Sequence, residues 1–133
     1  MKIIDIEGIG PVYADKLKLA GIPTVETLLK NGASIEGRQA LAEKLGFSEH
    51  TILEWVNRAD LYRIKGVGKQ YSDLLEKAGV DTVVELGNRV PENLVKKLEE
   101  INTAQNLVNK LPAIKQVKSW INQAKKLPRI VSY

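Results

Sequence analysis

Two short segments carry the residue types best suited to gripping an anion. Ile6–Leu17 reads IEGIGPVYADKL, and Ile64–Leu75 reads IKGVGKQYSDLL. In each, a Gly-hydrophobic-Gly turn (Gly8-Ile9-Gly10 or Gly66-Val67-Gly68) runs straight into helix-forming sequence. Glycines permit backbone angles closed to other residues and leave the main chain uncovered. A helix that begins at once beyond them presents free N–H groups and the positive end of its dipole beside the turn. A phosphate oxygen is the natural guest of such a place. The residue between the glycines, Ile9 or Val67, is expected to tuck under and fix the flanking helices. Nothing in either segment reads base edges, so contact would go to backbone phosphate and be indifferent to sequence.

The two turns differ in charge. Asp5 and Glu7 flank the first, and Pro11, Val12 and Tyr13 bring no cation to its helix start. In the second, Lys65 sits inside the turn, Lys69 opens the helix, Gln70 adds a donor and Arg63 precedes. The candidate nucleic-acid-binding residues are therefore Lys65, Gly66, Val67, Gly68, Lys69 and Gln70, with Gly8, Ile9 and Gly10 as the weaker copy. A Gly-hydrophobic-Gly turn is also simply a tight way to join two helices, and the first copy leans that way.

Other chemistry is sparse. The single His50 cannot build a multi-histidine metal site, and the absence of Cys removes disulfides, thiolate zinc sites and Cys nucleophiles together. No nucleophile–base arrangement, P-loop or HExxH is present, so neither an enzyme nor a small-molecule substrate is expected. Asp15 and Asp73 resemble paired carboxylates only because the chain repeats.

The repeat is what must position the turns. At an offset of 58, Ile6, Gly8, Gly10, Tyr13, Asp15, Leu17, Ala20, Gly21, Thr24, Val25 and Leu28 fall on Ile64, Gly66, Gly68, Tyr71, Asp73, Leu75, Ala78, Gly79, Thr82, Val83 and Leu86. WVNRA at Trp55–Ala59 recurs as WINQA at Trp120–Ala124, where the offset has grown to 65. The chain is thus two copies of one unit, residues 1–61 and 62–133, the second with seven extra residues. No Gly/Ser linker separates them, so the copies are expected to pack or share a helix.

Within a unit the pattern predicts short helices. Pro11 suits a first helical turn, where its missing N–H has no partner in any case. Gly21 reads as a helix stop, and Thr24 and Thr82 as starts, Thr82 with Glu85 forming a capping box. Further helices are predicted over Glu36–Leu45, Ser48–Ala59 and Pro91–Ile101, a short added one over Thr103–Leu111, and a last one opened by Pro112. Trp55 and Trp120, at matched places on closing helices, are expected in the core, and Tyr13 and Tyr71 are expected to pack rather than stack on bases. His50, in a first helical turn, should face solvent. No stretch alternates like a strand. The fold class is all-α.

Composition agrees. An apolar fraction of 44% and a charged fraction of 27% over 133 residues are those of a soluble globular protein without a membrane span. The start, MKIIDIEG, has acids where a signal peptide needs an apolar run, so a cytoplasmic location is expected. The net charge of +4 is uneven: residues 1–61 carry seven Lys/Arg against nine Asp/Glu, and residues 62–133 carry thirteen against seven. From Ile101 onward there are Lys110, Lys115, Lys118, Lys125, Lys126 and Arg129 with no acid at all. A basic end suggests an anionic partner, although a solvated helix face has the same composition.

The pattern hydrophobic-any-Gly-hydrophobic-Gly, followed by a small residue (Ala14, Ser72) and a Leu, resembles the helix-hairpin-helix motif. The full unit resembles the five-helix, SAM-like domain at the N-terminus of RecA-like recombinases. It is similar too to the C-terminal domain of the bacterial RNA polymerase alpha subunit. The tandem arrangement, down to GIGPVYADKLKLAGI, resembles a bacterial family of helix-hairpin-helix proteins catalogued as a domain of unknown function. The resemblance implies hairpins seated over the minor groove of duplex DNA, some with a monovalent cation on the turn's carbonyls, and no other cofactor. The leading expectation is sequence-independent binding of duplex DNA through the second turn, helped by the basic C-terminal helix. The rival is a protein-interaction or assembly module in which the hairpins are purely structural.

Overall fold

The computed structural model describes all residues, Met1–Tyr133. It is all-α, with a short 3-10 turn at Ile3–Asp5 and no strand beyond an isolated bridge between Lys2 and Thr24. The helices are α1 (Pro11–Leu19), α2 (Val25–Gly32), α3 (Ile35–Leu45), α4 (Glu49–Leu61), α5 (Lys69–Lys77), α6 (Val83–Gly87), α7 (Pro91–Gln105) and α8 (Ile114–Lys126). The chain forms two compact units, one of Met1–Asp60 together with Ile130–Tyr133, the other of Leu61–Arg129. Each unit holds four α-helices rather than five.

Local chemistry sets the helix ends. Pro11 occupies the first turn of α1, and Gly21, at φ +85°, turns the chain out of it. Thr24 and Thr82 cap α2 and α6, accepting from the N–H groups of Thr27 at 3.1 Å and Glu85 at 3.3 Å. Glu85 does not return to Thr82 as a capping box would require; its carboxylate accepts from Arg89 at 3.3 Å. Ser34 and Ser48 cap α3 and α4 in the same way, through Gly37 N–H and Thr51 N–H.

The added helix expected over Thr103–Leu111 is not there. α7 continues through Gln105 and stops where Asn106 takes the left-handed conformation, φ +49°. The Asn102 side chain then fastens the next residues: it accepts from Val108 N–H at 2.9 Å and donates to the Val108 carbonyl at 3.1 Å. Backbone groups engaged by a side chain are lost to the helical ladder, so the chain runs unwound to Ala113. Pro112 lies two residues before α8 instead of opening it, and Gln116 accepts from Ala113 N–H at 3.1 Å at that helix start.

In the first unit Ile3, Ile6, Leu17, Leu28 and Ile52 are fully buried, and Trp55 is nearly so. In the second, Leu74, Leu75, Val80, Val83, Leu86 and Val117 surround Trp120. The first unit is completed by the last residues of the chain. Val131 is buried, and Ser132 N–H donates to the Ala33 carbonyl at 2.9 Å. Arg38, itself buried, donates to the carbonyls of Gly32 at 2.9 Å, Ala33 at 3.0 Å and Ser132 at 2.6 Å. Tyr133 donates its hydroxyl to Asn57 at 3.1 Å. Arg38→Ala would leave several carbonyls without their charged donor, a loss of about 1.5–3 kcal/mol. Hydrogen exchange should show the Ser132 amide losing protection while the amides of α8 keep theirs; an unchanged Ser132 amide would contradict this strap.

Candidate nucleic-acid interface

Each glycine turn is built against the tryptophan of its own unit. Gly8 and Gly66 have φ of +94° and +97°, where a side chain is strained. A Cβ on Gly66 would stand 2.9 Å from Trp120 Nε1, and one on Gly8 would stand 3.4 Å from Trp55 Nε1. Gly66 is therefore demanded twice, by backbone conformation and by the close ring, whereas at Gly8 the ring leaves an ordinary contact and the backbone conformation alone makes the demand. Ile9 and Val67 are buried, and their N–H groups close the turns on the carbonyls of Ile6 at 3.1 Å and Ile64 at 3.2 Å.

The second glycines answer to neither demand. Gly10 and Gly68 are extended residues at the N-caps of α1 and α5, and a Cβ on either would meet nothing within 4 Å. They place no capping side chain over the first N–H groups of the helix. Gly66→Ala is thus expected to destabilise by about 1–3 kcal/mol, and Gly68→Ala by no more than about 1 kcal/mol, the scale of an N-cap change. Urea unfolding of the two variants checks the order, which equal losses would refute.

A side chain from the closing helix clamps each turn. Gln123 of α8 accepts from Lys65 N–H at 2.9 Å and donates to the Lys65 carbonyl at 3.2 Å. In the first unit Arg58 of α4 donates to the Glu7 carbonyl at 2.8 Å. These are matched places: the offset of 65 that pairs the tryptophans pairs Arg58 with Gln123, and the offset of 58 pairs Glu7 with Lys65. The repeat alignment already contained this signal, but it became visible as a clamp only with the contact.

Of the candidate residues, Lys65, Gly66, Lys69 and Gln70 are exposed, Gly68 is half-buried and Val67 lies beneath. In the first turn Gly8 and Gly10 are exposed over buried Ile9. The tyrosines pack on the tryptophans, with ring centroids 5.8 Å apart for Tyr13–Trp55 and 5.3 Å for Tyr71–Trp120. Tyr71 also donates to the Lys110 carbonyl at 3.0 Å. His50 is exposed and lies 3.0 Å from Glu54.

The monovalent cation implied by the motif resemblance is a poor fit. The carbonyls of Ile6 and Ile64 accept the turn-closing N–H groups, and those of Glu7 and Lys65 accept from Arg58 and Gln123. A guanidinium on the Glu7 oxygen repels a second positive charge there.

Fold and site together define an all-helical protein whose two Gly-hydrophobic-Gly turns each rest on a tryptophan of a closing helix. The chain belongs to the family described as Domain of unknown function (DUF4332), which matches residues 7–127. No curated protein and no solved structure matches it. No helix is long and apolar enough to cross a membrane.

Proposed function

We propose that this is a non-catalytic, cytoplasmic protein of two helix-hairpin-helix units that binds nucleic acid, duplex DNA foremost, without regard to sequence. The contacts are to phosphate at the second turn. One observation carries the reading: exposed Lys65 and Lys69 bracket a Gly68 N-cap with open space around it. Backbone N–H groups of α5 supply the geometry for a phosphate oxygen and the lysines supply the attraction. The resemblance of the Gly-hydrophobic-Gly pattern to the helix-hairpin-helix motif, which implies hairpins over the minor groove of duplex DNA, supports the same choice.

A fluorescence anisotropy titration with random-sequence duplex, single strand and RNA over a range of salt tests it. With three or four phosphate contacts, binding to duplex should be weak and its log–log salt slope about −3 to −4. Binding that ignores salt, or that depends strongly on sequence, would overturn the mechanism.

A second reading, a protein-interaction module, draws on α1 of the first unit. Val12 is 69% exposed and Leu19 is 90% exposed, and seven residues apart they share one helix face. Failure to bind any of the three nucleic acids would turn the choice to that face.

A further inference from the structure

Helix α1 turns apolar side chains away from the core. Ala14 and Leu17 are buried, whereas Val12 is exposed and Leu19, at 90%, is more exposed than any other large apolar side chain. Seven residues of helix return to within about 20° of one direction, so Val12 and Leu19 form a crest opposite the buried pair. A cleft lies on each side of that crest. One, of about 370 Å³, is lined by Lys16, Leu19, Ala20, Lys44 and Leu45. The other, of about 340 Å³, is lined by Ile4, Pro11 and Pro23 together with Lys2, Asp15 and Lys18. The fold does not ask for this surface. At the offset of 58 the second copy has Gln70 and Lys77 in place of Val12 and Leu19. Exposed Lys16 matches Leu74, which is fully buried in a unit where α5 packs on α7.

Positive charge gathers at the same place. The unit of Met1–Asp60 and Ile130–Tyr133 is acidic, with seven Lys/Arg against nine Asp/Glu. Arg38 and Arg58 are buried, which leaves five exposed cations, Lys2, Lys16, Lys18, Lys30 and Lys44. All but Lys30 line the two clefts, with Asp15 as the one acid among the lining residues. Lys16 Nζ lies 5.4 Å from the Phe47 ring centroid, and Lys44 Nζ donates to the Ala20 carbonyl at 3.3 Å. We infer that this face is a docking site for an acidic, amphipathic segment of a partner protein. The segment's apolar side chains enter the clefts beside Leu19 and Ile4, and its carboxylates meet the four lysines. A phosphodiester backbone has nothing apolar to set against the crest, and a bilayer surface would span the clefts without filling them. The inference rests on reading α1 as a protein-contact face, not on the second turn, and names the partner's chemistry.

Random peptides displayed on phage and selected on the whole protein test it. Selected sequences should interleave Asp and Glu with large apolar residues, and a synthetic copy should shift the amide resonances of α1 and Leu45. Val12→Gln with Leu19→Gln changes no charge and touches no core residue; it should keep the fold and weaken that peptide by about tenfold or more. Lys16→Gln with Lys44→Gln should weaken it by about three- to tenfold at low salt, and by less as salt rises. Duplex DNA should bind the Val12/Leu19 variant and the wild type alike, which keeps this result apart from that of the second turn. Selected peptides without an excess of acid, lost all the same in the Val12/Leu19 variant, would leave α1 a protein-contact face and overturn the acidic partner. Peptides that bind that variant as well as the wild type, or no enrichment at all, would overturn the docking site. Phosphatidylglycerol vesicles that capture the wild type but not that variant would overturn it in favour of a lipid surface.

Discussion

Alanine at Trp120 is expected to lower stability by about 3–5 kcal/mol, and alanine at Trp55 by a similar amount, the range for emptying a large buried aromatic. Both rings are almost wholly buried, at 2% and 3% exposure. Each touches more than core. Trp120 Nε1 packs under Gly66, where a Cβ would be only 2.9 Å away, and Tyr71 lies against the same ring. Trp55 meets Tyr13 and also Phe47, whose centroid is 5.3 Å away. Removing either indole therefore opens a cavity directly below a glycine turn. Urea unfolding followed by circular dichroism should show both midpoints falling. For Trp120→Ala, affinity for duplex DNA should fall as well, because the turn loses its floor. A wild-type midpoint for either variant would mean that its ring is dispensable to the core.

The anchors of this arrangement could be read in the sequence because they recur. Gly8 and Gly66, Ile9 and Val67, and the two tryptophans each appear at matched positions, and a position filled alike in both copies reports a packing demand. What could not be read is what the copies do not share. Asn102 belongs to the stretch with seven extra residues, so no partner position exposed its role in ending α7, and the pattern there read as another helix. The partner of Arg38, Ser132, is 94 residues away, beyond any local pattern. The lysines of α8 could be counted but not oriented. At about 100° per residue the four of Lys115, Lys118, Lys125 and Lys126 fall on one arc of about 100°, and only the Gln123–Lys65 contact shows which side of the helix meets the turn.

Reversing the charge at the second turn, Lys65→Glu with Lys69→Glu, is expected to cut nucleic-acid affinity by about a hundredfold or more. Two charge-assisted contacts at about 1.5 kcal/mol each already give that factor, before the repulsion between new carboxylates and phosphate. The fold should survive, since both side chains are exposed and the turn is held from beneath by Val67, Trp120 and Gln123. An unchanged circular dichroism spectrum with lost anisotropy is the expected pair of readings. The first turn supplies the converse. Its backbone matches the second, with Gly8 and Gly66 within a few degrees of one another and the same open N-cap glycine. What it lacks is cations at the surface. Glu7→Lys with Pro11→Lys supplies them and should raise affinity, with the salt slope steepening by about 1–2. Unchanged affinity in that variant would make the first turn a joint only. Unchanged affinity in the Lys65/Lys69 reversal would make both turns structural, and the exposed Val12–Leu19 face of α1 would become the surface to test for a protein partner.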